Sequence, residues 1–234
     1  MRVHRVYLPS LRPGEMTLSG AEAHHLLQVL RVRAGSAVCA FDGKGLEADG
    51  EVLSAEAAGR IILRLEQPRV SDAEASLNVT LALPLLKGDK LSGVVRQATE
   101  LGVRGVQLVH TRYADVPKLS ANKLERLRRV VREAAKQSGR SYVPAVAEPV
   151  SLTSLLKTTE DARLVVAHPR AQLSVRDVPS AASLTLLTGP EGGLHDDEVA
   201  ELGRSGALVV GLGPRILRAE TAPVALAAAL LLRA

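Results

Sequence analysis

Apolar residues recur along the chain with two different rhythms. Up to about residue 70 they come in short stretches that read as strands: "RVHRVYL", "SAVCAF", "LEADGEVL" and "RIILRLEQP". The turn "DGKG" between the second and third predicts a hairpin. The one helical stretch, "SGAEAHHLLQVLRV", carries apolar residues at 26, 27 and 30 and opens with Ser19 and Glu22 at capping-box spacing. This set predicts a small barrel-like domain over residues 1–70, and the polar "RVSDAEAS" supplies a linker at 71–77.

From Asn78 onward the strands become uniformly apolar and alternate with helices. "NVTLALPLL", "GVQLVH", "RLVVAH", "SLTLLTG" and "ALVVGLG" read as buried strands. "GDKLSGVVRQATELGV" (apolar at 91, 94, 95, 98 and 101), "SANKLERLRRVVREAAKQSG", "DDEVAELGRSG" and the tail from Thr221 read as helices. The alternation predicts an α/β domain over 78–234 with a mostly parallel sheet covered on both faces. Ligands of such sheets bind beyond the carboxyl ends of the strands.

Composition narrows the chemistry. The 234 residues are 46% hydrophobic and 24% charged, enough to bury a full core. With no Trp, one Phe and three Tyr, the composition argues against an aromatic platform for stacking bases. Cys39 is the single cysteine, which excludes a disulfide framework and a thiolate metal cage and fits the cytosol. His24 and His25 point about 100° apart on a helix, so they make a poor metal pair. The N-terminal "MRVHRVYLPS" has no apolar leader run. The longest apolar tract, Ala222 to Leu232, falls short of the roughly 20 residues that span a bilayer.

The net charge of +5 is concentrated. Between Lys118 and Arg140 eight Lys and Arg face only Glu125 and Glu133, which suggests a polyanionic partner. On the longest helix Arg128, Arg132 and Lys136 share a face, and Arg140 extends the strip. Arg2, Arg5, Arg31 and Arg33 are the corresponding candidates for nucleic-acid contact on the small domain.

Two consecutive late strands end in unusual loops, "LLTGPEGGLHDDE" and "VVGLGPRILRAETA". Their glycines expose bare backbone donors and acceptors to a closely approaching ligand. No GxxxxGK[ST] phosphate loop, no dinucleotide fingerprint and no GxSxG elbow occurs in the chain.

Taken in order, "KGDKLSGVVRQATELGV", "REAAKQSGR", "LLTGPEGGLHDDEV" and "GLGPRILRAETAPVAL" resemble the RsmE family of SPOUT methyltransferases. "AEAHHLLQVLRVRAG" followed by "FDGKG" resembles that family's N-terminal PUA-like RNA-binding domain. The resemblance covers nearly the whole chain; "HDDE" and Ala219 are local variants of the pattern.

It implies an S-adenosylmethionine-dependent enzyme with a deep C-terminal trefoil knot, acting as a cytoplasmic homodimer. The implied substrate is N3 of one uridine in small-subunit ribosomal RNA, free or in the assembled particle, with no membrane or metal partner. The implied cofactor pocket takes Leu187, Thr188, Gly189, Pro190, Glu191, Gly192 and Gly193 from one loop. From the other it takes Gly211, Leu212, Gly213, Ile216, Leu217, Thr221 and Ala222. N3 of uridine is a weakly acidic imide nitrogen, and losing its proton spreads negative charge onto two carbonyl oxygens. A guanidinium suits that charge, so Arg218 is the first catalytic candidate and Arg215 the second, with Glu220 orienting an arginine or serving as base. Two rival readings share these features: a non-catalytic ribosome-assembly factor, and a SPOUT enzyme acting at another RNA site.

Overall fold

The computed structural model describes residues 3–56, 59–116, 118–159 and 162–233. Arg2 lies outside them. The chain forms two compact units, the first comprising residues up to Glu74 together with Ala135–Val143.

The first unit contains β1 (His4–Tyr7), β2 (Gly14–Leu18), α1 (Gly20–Gln28), β3 (Ala37–Phe41), β4 (Leu46–Glu56), β5 (Arg60–Leu65) and β6 (Arg69–Val70). Its sheet runs β1-β3-β4-β5-β2, with β6 on β4. The expected hairpin is present, with β3 antiparallel to β4 from Ala37↔Glu51 to Phe41↔Glu47. Val6, Leu26, Val38, Val52, Ile61 and Leu63 fill its core. The capping box does not form: the Ser19 side chain makes no cap hydrogen bond. The Glu22 carboxylate is engaged elsewhere, accepting from Lys136 Nζ at 2.7 Å.

A polar cluster holds Ala135–Val143 within this unit. Arg140 is only 2% exposed. It donates through Nη2 and Nε to Glu74 Oε2 at 2.7 and 3.2 Å. The other oxygen of Glu74 accepts from the backbone N–H of Ser141 and of Tyr142 at 3.1 and 3.0 Å. Arg5 donates to the Arg140 carbonyl and to Ser141 Oγ, both at 2.9 Å, and lies over the Phe41 ring. Ser141 Oγ donates in turn to Glu47 at 2.7 Å.

The second unit contains β7 (Asn78–Pro84), α2 (Lys90–Leu101), β8 (Gly105–His110), most of α3 (Ala121–Gln137), β9 (Ala145–Ser151) and α4 (Leu152–Thr158). It continues through β10 (Arg163–Ala167), β11 (Leu173–Ser174), a 3-10 turn at Val175–Asp177, β12 (Ser183–Leu187), α5 (Asp196–Arg204), β13 (Leu208–Gly211) and α6 (Ala222–Leu231). The sheet order is β11-β13-β10-β12-β7-β8-β9, and every pairing is parallel, as the uniformly apolar strands predict. Strand side chains alternate between faces. Ala82, Val166 and Leu187 pack with Leu155 of α4 and Leu202 of α5. On α6, Leu226 and Leu230 are fully buried, and the helix packs on α2, β7 and β12. Among the described residues no helix is long and apolar enough to cross a membrane.

Candidate active site

The strands β13, β10 and β12 are neighbours, so the loops leaving their carboxyl ends converge. They enclose a cavity of about 530 Å³. It is lined by residues 167–170 at the end of β10, 188–194 after β12, and 212, 213, 215–220 and 222 after β13, together with Lys90 at the start of α2.

Most of the residues expected to form a pocket are brought together here. Thr188, Gly189, Pro190, Glu191, Gly192, Gly193, Leu212, Gly213, Ile216, Leu217 and Ala222 line the cavity, as do Arg215, Arg218 and Glu220. Three do not. Leu187 is the last residue of β12 and its side chain is buried in the core with Val166 and Leu202. Gly211 closes β13 by pairing with Ser174. Thr221 stands at the N-cap of α6 and is exposed, with no side-chain capping bond.

Local chemistry explains the loop shapes. A Cβ on Gly189 would meet the backbone of Gly193 and Leu194 at 2.9 Å, so only glycine lets the loop fold back on itself. Gly213 adopts φ 104°, a left-handed conformation that lets the chain turn directly after β13. From outside, the loop after β8 supports the 189–198 segment. Arg112 donates its backbone N–H to Glu198 at 2.8 Å, and its guanidinium donates to His195 Nδ1 at 2.9 Å. His195 caps α5, accepting from the Asp197 N–H, while Glu198 accepts from the His195 N–H. Glu198 is therefore a capping residue of α5. Because Nδ1 accepts, the hydrogen bonds assign the ring proton to Nε2.

The charges are unevenly satisfied. Lys90 Nζ lies 3.0 Å from Glu191 and 3.6 Å from Glu220. Its hydrogen bond to Glu191 holds the Lys90 ammonium above the usual lysine range. Burial pushes the Glu191 carboxyl up, but hydrogen bonds from its own and the Lys87 backbone and from Lys90 outweigh this and hold it below the ordinary carboxylate range. Arg170 pairs with Asp196. Among the described residues Arg215 and Arg218 have no ion pair, leaving two free guanidinium groups at the cavity. The hydroxyl of Thr188, in a residue 1% exposed, has no hydrogen-bond partner among the described residues. A buried polar atom without a partner is costly unless a ligand satisfies it.

Ala167, His168, Pro169, Arg170, Leu194, Ala219 and Lys90 also line the cavity and were not expected. His168 was within reach of the carboxyl-end rule, since "RLVVAH" ends on it. Burial, reinforced by the nearby Arg170 charge, pushes its imidazole below the ordinary histidine range.

The basic strip requires correction. Arg140 is buried on Glu74, Lys136 is bound to Glu22 with its side chain 11% exposed, and Arg5 is held by Glu47, Arg140 and Ser141. Helical spacing places residues on a face but cannot foresee acids arriving from distant parts of the chain. These three are structural cations of the first unit. Arg31, Arg33, Arg128 and Arg132 remain exposed, Arg128 pairing with Glu125. No cluster of metal-ligating side chains occurs among the described residues.

A two-part RNA-modifying enzyme emerges from comparison with known proteins: residues 73–231 match the model of an RNA methyltransferase domain, and residues 18–66 match an RNA methyltransferase PUA domain. The chain is 33% identical over 221 residues to the ribosomal RNA small subunit methyltransferase E of Bacillus subtilis, covering 89% of this chain and 86% of that one. It superposes with a TM-score of 0.90 on the Neisseria gonorrhoeae ribosomal RNA small subunit methyltransferase E bound to S-adenosyl methionine, at 32% identity over 98% and 97% of the two chains. A Legionella pneumophila methyltransferase in complex with the cofactor SAM gives a TM-score of 0.91 at 28% identity, over 100% of this chain and 98% of that one. The chain belongs to the ribosomal RNA small subunit methyltransferase E family.

Proposed function

We propose that the protein transfers a methyl group from S-adenosylmethionine to N3 of one uridine in small-subunit ribosomal RNA. The observation that carries this reading is the cavity at three adjoining strand ends, which offers two unpaired arginines and bare loop backbone but no phosphate loop. S-adenosylmethionine has an adenine, a ribose and an amino acid end but no phosphate, and the cavity suits it. Ile216, Leu217 and Ala167 provide apolar wall, the Thr188 hydroxyl lacks a partner, and the loop at 189–193 presents backbone groups. When bound, the cofactor supplies an electrophilic methyl group on a sulfonium.

The remaining chemistry belongs to the chain. N3 lies on the Watson–Crick edge, so the uridine must be unpaired or flipped to enter the cavity. As the N3 proton leaves, negative charge grows on the two flanking carbonyl oxygens. Arg218 first, and Arg215 second, are free of ion pairs among the described residues and so available to stabilise that charge. Glu220, which faces Lys90 and not the arginines, receives the proton. Arg31 and Arg33 on the first unit and Arg128 and Arg132 on α3 contact phosphates, which gives binding a steep salt dependence.

The remaining expectations belong to the same proposal. The protein works in the cytoplasm as a homodimer, to which the exposed Leu232 and Ile216 contribute apolar surface. Its C-terminal segment is knotted. In support, the chain leaves β13 on one side of β10, and α6 packs on β12 and β7 on the other.

The test is direct. Small-subunit particles from cells lacking their own enzyme of this type are incubated with the protein and methyl-labelled S-adenosylmethionine, and the digested nucleosides are identified by mass spectrometry. A single peak of 3-methyluridine is expected. Label on another nucleoside would overturn the target, and absence of both label and cofactor binding would favour an assembly factor.

A further inference from the structure

Among the described residues lining the cavity, Lys90 alone lies away from the carboxyl ends of β10, β12 and β13 and the segments that follow them. It sits at the first position of α2, where the helix dipole disfavours a cation and where no acidic side chain lies in the first turn. Its ammonium instead faces two carboxylates on two different loops, Glu191 after β12 at 3.0 Å and Glu220 after β13 at 3.6 Å. The Glu220 side chain is 31% exposed, and its inner Oε2 atom has no hydrogen-bond partner among the described residues. At 3.6 Å it is attracted to Lys90 but not bonded to it. Glu191 is further anchored by the Lys87 backbone N–H at 3.2 Å, so this side of the strap is fixed to the segment that precedes α2.

We propose that Lys90 is a positioning residue that straps the 189–194 and 212–222 loops together across the cavity, and that it presents the partly exposed Glu220 carboxylate to an N–H donor of the bound ligand. The proposal rests on the reading of the cavity as the methyltransfer site. Two nitrogens have the required chemistry, the cofactor's ammonium and the imide N–H of the target base. The strap keeps the Glu220 acceptor in place for either, without spending its hydrogen-bonding capacity.

The test compares wild type, Lys90→Met, Lys90→Arg, Glu220→Gln and the Lys90→Met/Glu220→Gln double variant by calorimetry with S-adenosylmethionine and by methylation kinetics. Residues acting through one another give non-additive losses. Lys90→Met and Glu220→Gln should each weaken the same step by at least about tenfold, the double variant should be no worse than about twofold below the weaker single, and Lys90→Arg should recover most of the loss. A loss in cofactor affinity assigns the donor to the cofactor; intact affinity with reduced kcat assigns it to the base. Losses that multiply, or a Lys90→Met protein within about twofold of wild type, overturn the proposal.

Hydrogen exchange provides a readout independent of any ligand. Lys90→Met should accelerate exchange in both loops, and unchanged exchange in both overturns the strap. A wild type that does not bind S-adenosylmethionine would overturn the cofactor reading, while the exchange result would still decide the strap.

Discussion

Replacing Glu74 with alanine should cost the first unit a large part of its stability. Glu74 neutralises a guanidinium that is 2% exposed, and its two oxygens take four hydrogen bonds, two from Arg140 and two from backbone N–H groups. Removing one member of a buried ion pair leaves an uncompensated charge, at a cost of about 3–5 kcal/mol. Domains carry only about 5–15 kcal/mol in total. Cys39 gives a reporter inside the same unit. It is the only cysteine and is buried. Burial pushes its thiol up to about 11 against the partly opposing Arg5 charge, so the native thiol reacts slowly near neutral pH. Modification then proceeds through opening of the unit, and each 1.4 kcal/mol lost should speed it about tenfold. Glu74→Ala should raise the rate of modification by a thiol reagent roughly a hundredfold to several thousandfold at fixed pH. Pairing Glu74→Leu with Arg140→Met should recover much of this, because no charge is then left buried. An increase below about tenfold in the single variant would refute the idea that the pair is a keystone of this unit.

Other perturbations give separate checks. Arg218→Ala should reduce kcat by about 10²–10³, while calorimetry finds S-adenosylmethionine affinity little changed; normal turnover would move the charge-stabilising role elsewhere. Gly189→Ala places a Cβ 2.9 Å from backbone atoms. It should weaken cofactor binding and destabilise the protein by about 1–3 kcal/mol, as read by calorimetry and thermal unfolding. For Glu47, burial pushes the carboxyl up, but hydrogen bonds from Ser141 and Ser71 and the charges of Arg5 and Arg69 outweigh it and hold the group below its ordinary range. The unfolded chain therefore binds its proton first as pH falls. The stabilisation is complete above the unfolded value of about 4.3 and is lost as pH falls through the folded value. Glu47→Gln should flatten that acid limb in denaturant titrations, and an unchanged limb would remove Glu47 as its source.

The central strands were legible because burial on both faces leaves runs such as "LVVA" and "SLTLL" with hardly a polar residue. The strands that escaped notice are peripheral: β2 and β9 end their sheets, β11 is a two-residue edge, and β6 is a two-residue strand paired only with β4. In "GEMTL" and "AVAEPVS" most side chains are at least partly exposed, so no apolar run or clean alternation marks them. The site was legible where composition is unusual, in the glycine- and proline-rich loops after β12 and β13. His168 and Arg170 escaped because "HPR" reads as an ordinary turn. Lys90 escaped because its partners lie about a hundred residues away in the chain. The same separation hid Glu74 from Arg140 and Glu22 from Lys136, turning an apparent phosphate strip into internal structure.

The inclusion of Ala135–Val143 in the first unit has a consequence for synthesis on the ribosome. An N-terminal domain ordinarily folds once its own residues have emerged. Here the nascent chain reaches Glu74 with Glu22 and Glu74 still lacking their cations and Glu47 still lacking its Ser141 hydroxyl donor. It must extrude sixty-odd further residues before Lys136, Arg140 and Ser141 arrive. Folding of the first unit is thereby tied to emergence of the Ala75–Ala134 part of the second. Swapping the N-terminal unit between relatives should succeed only when the 135–143 segment is exchanged with it.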